Sequence, residues 1–129
     1  MQKQPEATKP ALTVEVVAEF MLGGQPHDTV RVMWTGVTPP TLEDAVRAAD
    51  TADRPVVRTN EEWSHAYEYR RDLPLPEKPY RNRLATTRPD PVGPRCVSVL
   101  DWGRGGWYRL WGNIDRRLDV TDLVLRRRT

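Results

Sequence analysis

The sequence predicts a small α+β domain, built on a mainly antiparallel sheet of about five strands with two helices. Three observations indicate this class: alternating apolar residues near both ends of the chain, helical apolar spacing in the middle, and turn-forming glycines between neighbouring strands. With 129 residues the chain has the usual size of one domain. We therefore expect a flexible tail over residues 1–11, which is polar and aperiodic, and a single domain over residues 12–129.

The first expected elements form a hairpin. Residues 12–22 alternate apolar and polar side chains from Leu12 onwards, which predicts a strand with one wetter face. Residues 23–26, GGQP, have the composition of a turn. Residues 28–34 then alternate again up to Trp34, so the two segments predict an antiparallel pair.

Two helices are expected in the middle of the chain. Thr41 followed by Asp44 resembles a capping box, and the apolar positions after it share one face of a helix over about residues 42–52. Asn60 is the expected N-cap of a second helix over residues 61–71, whose first turn is acidic and whose end is basic. Between the helices, residues 55–58 could form a short edge strand.

A proline-rich segment follows the second helix. Residues 73–94 hold six of the chain's 12 prolines, namely Pro74, Pro76, Pro79, Pro89, Pro91 and Pro94. This density argues against a helix or a central strand, so the sequence predicts a long extended loop. Within it, residues 79–94 are expected to be irregular, exposed and cationic.

This Pro/Arg-rich loop is a candidate recognition element. Tyr80 and Leu84 would supply anchoring apolar contacts, because interface energy is concentrated in a few residues. Arg81, Arg83 and Arg88 would steer the encounter with a partner.

A second hairpin is expected near the C-terminus, with residues 96–102 and 107–111 as strands and residues 103–106, GRGG, as the turn. Trp107 and Trp111 would share one face with Arg109 between them, and Arg104 would lie in the turn. Such a face could stack against a partner, although ordinary burial preferences favour the alternative that the tryptophans fill the core. Residues 119–127 predict a last strand, with a short helix as the alternative.

The charge distribution has two interpretations. Residues 1–69 carry six Lys/Arg and eleven Asp/Glu, whereas residues 70–129 carry fourteen and seven, so the halves have net charges of −5 and +7. A basic C-terminal half would suit an anionic partner, including nucleic acid. The same asymmetry would suit complementary packing between the halves or between subunits.

Few residues of the sequence indicate a catalytic site. Glu62 and His65 form an E-x-x-H pair that could act as acid and base in a pocket lined by Trp34, Trp63 and Tyr67. An orienting partner for them is not evident from the spacing. We predict no catalytic residues and no cofactor.

Metal and thiol chemistry are not predicted either. A mononuclear metal site would require His27, in the first turn, to meet His65 on the second helix. Cys96 is the only cysteine and lies in an apolar strand, so it favours a reducing compartment. With no secretory or membrane-spanning pattern, we expect a cytoplasmic protein.

We conclude that the sequence favours a non-catalytic interaction domain that binds a protein partner or self-associates. The expected contact residues are Tyr80, Arg81, Arg83, Leu84 and Arg88 of the loop and Arg104, Trp107, Arg109 and Trp111 of the hairpin. Only three of the 20 basic residues are lysines, which indicates GC-rich codons and suits a phage, plasmid or immunity-type accessory protein of a high-GC bacterium. The alternatives are a nucleic-acid-binding protein, and a small-ligand protein or enzyme with a site around Glu62 and His65.

Overall fold

A computed structural model describes residues 11–75 and 83–129, and in these residues one mixed six-stranded sheet carries a helix on each face. The strands are β1 (Leu12–Leu22), β2 (Gln25–Trp34), β3 (Arg83–Pro89), β4 (Cys96–Gly103), β5 (Gly106–Asn113) and β6 (Asp122–Arg127), in the order β1-β2-β6-β3-β4-β5. The helices are α1 (Leu42–Ala49) and α2 (Asn60–Glu68), and a 3-10 turn (Arg70–Asp72) follows α2. The predicted α+β class is confirmed, with one strand more than expected.

The last strand of the chain lies in the middle of the sheet. β6 pairs antiparallel with β2 and parallel with β3, and the other neighbouring strands pair antiparallel. Beyond the short β3–β6 ladder, residues 55–57 enter between these two strands. The amide of Val57 donates to the carbonyl of Leu125 at 3.2 Å, and the amide of Thr87 donates to the carbonyl of Val57 at 2.9 Å. The prediction of a short edge strand over residues 55–58 is therefore wrong, because this segment forms hydrogen bonds on both sides inside the sheet.

Neighbouring residues of the central strands enter different cores. Ala85 and Val124 pack with α1, whereas Leu84 and Leu125 pack with Trp63 of α2. Since side chains alternate along a strand, the two clusters lie on opposite faces of the sheet. The central strands are consequently buried on both sides, which explains their near-continuous burial.

Capping boxes begin both helices. The predicted box of α1 is confirmed, since Thr41 Oγ1 accepts from the amide of Asp44 at 3.2 Å. In α2 the N-cap is Thr59 rather than Asn60, because the side chain of Glu62, three residues after Thr59, completes a reciprocal box. The α-helix ends at Glu68 and not at residue 71. No helix in the described residues is long and apolar enough to cross a membrane.

The prediction that residues 79–94 are irregular and exposed is wrong over β3. Leu84, Ala85 and Thr86 of this strand are buried, and the hydroxyl of Thr86 donates to the carbonyl of Ser98 at 2.7 Å. The physical reason is the position of the prolines: none falls inside residues 80–88, and Pro89 is the last residue of the strand. Proline disrupts a ladder only where its missing donor is needed.

Candidate functional site

Arginines of the C-terminal half bind carboxylates of the N-terminal half. The pairs are Arg95 with Glu43 at 2.8 Å, Arg126 with Asp28 at 2.8 Å, Arg127 with Glu62 at 2.6 Å and Arg128 with Glu19 at 3.8 Å. The opposite charges of the two halves therefore meet inside one molecule. Four of the fourteen basic residues of the C-terminal half are neutralised in this way.

A second group of arginines surrounds the β4–β5 hairpin. Among the described residues, no carboxylate lies within ion-pairing distance of Arg70, Arg71, Arg104 or Arg109. Arg70 stacks on the ring of Tyr67 at 4.2 Å and donates to its carbonyl at 2.8 Å.

A cleft of about 320 Å³ lies between the 3-10 turn and the start of β5. Arg70 and Arg71 line it on one side and Trp102 and Trp107 on the other. The two indoles meet edge to face with ring centroids 5.3 Å apart. Trp107 is only 8% exposed, and its buried Nε1 has no hydrogen-bond partner among the described residues.

The hairpin turn fixes which backbone groups of β5 face outward. Arg104 and Gly105 have φ of 51° and 81°, as a two-residue type I′ turn requires, and Gly103 faces Gly106 across it. In such a hairpin the flanking pair exchanges hydrogen bonds, and bonded and non-bonded pairs alternate from there. The N–H and C=O groups of Trp107, Arg109 and Trp111 therefore point away from β4. The bond from the amide of Ile114 to the carbonyl of Arg95, at 2.9 Å, fits this alternation.

Among the residues that the structure describes, β5 is an outer strand of the sheet and lacks the devices that usually protect an edge. Its register with β4 runs unbroken from Gly106 to Asn113, and Arg109 is its only charged residue. The opposite outer strand, β1, has a register shift and carries Glu15 and Glu19. Bulges and charges are devices that prevent edges from pairing, so β5 is the more open of the two edges.

Aromatic side chains flank the open edge on both faces. Trp107, Arg109 and Trp111 share the face that carries α2, and of these Trp107 is buried while Trp111 is 46% exposed. Tyr108, on the opposite face, is also 46% exposed and donates its hydroxyl to Asp101 Oδ2 at 3.2 Å. The charge of Asp101 raises the pKa of Tyr108. The sequence prediction overlooked Tyr108, although aromatic residues on both faces of an outer strand mark a two-sided surface.

The other predicted contact residues that the structure describes, Arg83, Leu84 and Arg88, belong to β3 and not to β5. Tyr80 and Arg81 lie outside the described residues. Leu84 is 2% exposed in the core, so its predicted role as an exposed anchor is wrong. Arg83 lies 3.7 Å from Asp101, and Arg88 donates to Asn60 and Ser98 at 2.9 Å each. Arg88 thus ties β3 to β4 and to the start of α2.

The predicted pocket around Glu62 and His65 does not form as expected. Trp34 packs in the core beside α1, whereas Trp63 and Tyr67 pack in the core on the other face of the sheet. These three residues cannot line one pocket. Burial favours the neutral form of Glu62, but hydrogen bonds from the amides of Arg58 and Thr59 and the charge of Arg127 outweigh this effect and lower its pKa.

The two histidines do meet. Their rings stack with centroids 6.1 Å apart and an interplanar angle of 12°. A ring N–H of each donates to a backbone carbonyl, from His27 Nδ1 to Gln25 at 2.9 Å and from His65 Nε2 to Leu22 at 2.7 Å. No group of three or more metal-ligating side chains occurs in the part of the chain that the structure describes. The pair joins the first turn to α2.

No protein-family model matches the chain, and neither the curated proteins nor the solved structures contain a significant match. Function must therefore be inferred from the geometry. The open edge of β5, with its flanking aromatic residues and arginines, is the feature that the fold itself does not use.

Proposed function

We propose that this protein is a non-catalytic interaction domain that binds an extended protein strand along the edge of β5. The observation that carries the proposal is the contrast between the two outer strands: β1 is blunted by a register shift and carboxylates, and β5 is regular and aromatic. In strand addition the backbone hydrogen bonds give affinity, and alternate side chains give specificity. The strand would come from a protein partner or from a second copy of this chain.

The surroundings of β5 offer both backbone hydrogen bonds and side-chain contacts to an added strand. The strand would bond to the outward backbone groups of Arg109 and Trp111, and it would lie between the exposed rings of Tyr108 on one face and Trp111 on the other. On a strand supplied by another protein, Arg70 and Arg71 in the adjacent cleft would favour carboxylate side chains, which β5 of a second copy does not carry. Aromatic and arginine side chains are also the residues that contribute most to interface energy.

Two further considerations support binding over the alternatives. Four C-terminal arginines of the possible nucleic-acid track, Arg95, Arg126, Arg127 and Arg128, are bound to carboxylates of the same molecule and are therefore less available to phosphates. The candidate acid, Glu62, is likewise engaged in a capping box and an ion pair. We place the protein in the cytoplasm, since its single cysteine suits a reducing compartment.

Replacing Arg109 by proline tests the proposal. Arg109→Pro removes an outward N–H and leaves the ladder with β4 intact, which is the position where an edge strand tolerates proline. Arg109→Gln is the matched control, because it removes the charge and keeps the N–H. We expect Arg109→Pro to lose both self-association, measured by light scattering, and capture of proteins from a lysate of the source cells. A folded Arg109→Pro variant with the assembly mass and captured proteins of the wild type would contradict the proposal.

A further inference from the structure

We propose that the strand bound at β5 is β5 of a second copy, in antiparallel register around a two-fold axis at Leu110. This inference rests on the proposed function and names its occupant. The two six-stranded sheets would join edge to edge into one sheet of twelve strands. Such an interface is isologous, because the same surface of each copy meets itself.

The hydrogen-bond pattern limits the possible registers. The outward groups belong to odd-numbered residues of β5, so an added copy must pair odd residues with odd residues. Two registers then overlap seven residues of each strand, one with its axis at Arg109 and one with its axis at Leu110. The axis at Arg109 places two arginines directly opposite each other, which is destabilising. The axis at Leu110 avoids this contact.

In the Leu110 register the exposed side chains of Tyr108, Arg109 and Trp111 each acquire a defined neighbour. Arg109 lies opposite Trp111 of the second copy, and the symmetry repeats this cation–π pair. Tyr108 lies opposite Gly112, beside which lie the apolar side chains of Val99 and Leu42, so the ring would pack at the border of the core on the α1 face. Leu110 meets its own copy at the axis. The strand is therefore complementary to itself.

Beyond the strand ends, the Arg104 turn of one copy reaches the turn at Asp115 and Arg116 of the other. Asp115 already accepts hydrogen bonds of 2.7 and 2.8 Å from Arg95, and Arg116 pairs with Asp122 at 3.0 Å, so this contact adds no ion pair to the interface. One strand from each copy makes a small interface, so we expect a concentration-dependent dimer.

Disulfide trapping tests the register. In a Cys96→Ser background, Leu110→Cys places two thiols across a non-hydrogen-bonded pair, where the Cβ separation of about 4.5–5.5 Å approaches that of a disulfide. We expect mild oxidation to convert most of this variant into a covalent dimer. Tyr108→Cys is the matched control on the same face and should remain largely monomeric, because it faces Gly112. Preferential cross-linking of Arg109→Cys or Trp111→Cys would overturn the register.

Light scattering of the wild type keeps the inference testable if Leu110→Cys fails to fold. We expect the mass to rise from monomer to dimer between about 1 µM and about 1 mM, and Arg109→Pro to stay monomeric. A wild type that remains monomeric throughout this range overturns the inference. If it nevertheless captures another protein in a manner that Arg109→Pro abolishes, strand addition stands and only the second copy is wrong. If capture is insensitive to Arg109→Pro, both proposals fail.

Discussion

Arg126 donates two hydrogen bonds to Asp28, from Nε to Oδ1 and from Nη2 to Oδ2, each 2.8 Å long. Both residues are buried, with exposed fractions of 5% and 0%. Arg126 Nη1 also donates to the carbonyl of Ala49 at 3.0 Å, and Arg54 donates to Asp28 at 2.8 Å. One carboxylate thus joins β2, β6, the end of α1 and the loop after it.

We expect Asp28→Asn to destabilise the protein by about 3–5 kcal/mol, because it leaves the buried charge of Arg126 without a counter-charge. Glu43→Gln is the control, since Glu43 makes ion pairs with Arg47 and Arg95 at the surface. Exposed pairs contribute at most about 1 kcal/mol. The free energies of unfolding in urea give the comparison. Equal losses in the two variants would show that the buried network does not stabilise the fold.

His27 should make the stability depend on pH below neutrality. Burial lowers its pKa from 6.5, and the nearby His65 and Arg127 lower it further, while a hydrogen bond to Gln25 and the charge of Asp28 oppose the shift. The unfolded chain therefore binds a proton near pH 6.5, whereas the folded protein binds it only at lower pH. Stability is constant above this pH and falls as the pH drops towards the folded pKa, by at most about 1.4 kcal/mol per pH unit.

His27→Asn removes this titration and keeps a side-chain donor for the carbonyl of Gln25. We expect the free energy of unfolding to depend less on pH between about pH 5 and pH 6.5 in the variant than in the wild type. Urea unfolding at several pH values measures both slopes. Identical slopes in the two proteins would show that groups other than His27 cause the pH dependence of stability.

Leu84→Ala tests whether β3 is a central strand or a loop. Leu84 is buried between β6 and β4, so truncation should cost about 2–5 kcal/mol. Leu75→Ala is the matched control, because Leu75 is 76% exposed and should change stability by less than about 0.5 kcal/mol. Similar thermal midpoints for the two variants would indicate that residues 83–89 form a loop, as the sequence predicts, and not a central strand.

The turn of the β4–β5 hairpin can be improved. Arg104 adopts a positive φ of 51°, a conformation that asparagine accepts more easily. We expect Arg104→Asn to raise the stability by a few tenths of a kcal/mol and Gly105→Ala, at φ 81°, to lower it by about 1 kcal/mol. Thermal melts measure both. If both variants lower the midpoint equally, the turn does not have the type I′ geometry.

Local patterns predicted most of the elements. Both hairpins and α1 follow from alternation, turn glycines and the capping box at Thr41. The cap of α2 was assigned one residue late, because both Thr59 and Asn60 are good N-caps and the decisive partner is Glu62.

Long-range arrangement could not be read from the sequence. The insertion of β6 between β2 and β3 depends on pairings between distant segments, and no periodicity encodes the choice of neighbour. For the same reason the pairing of Arg126 with Asp28 and of Arg127 with Glu62 could not be predicted from the charge asymmetry. In the candidate site, Arg104, Arg109 and Trp111 were predicted, whereas the openness of the β5 edge depends on the strand order.

Amide hydrogen exchange along β5 tests the central claim most directly. In dilute protein we expect the amides of Arg109 and Trp111 to exchange quickly, and those of Tyr108 and Leu110, bonded to β4, to be protected. At high concentration, or with a bound partner, Arg109 and Trp111 should gain protection while Tyr108 and Leu110 change little. Fast exchange of Arg109 and Trp111 under all of these conditions would contradict strand addition at β5.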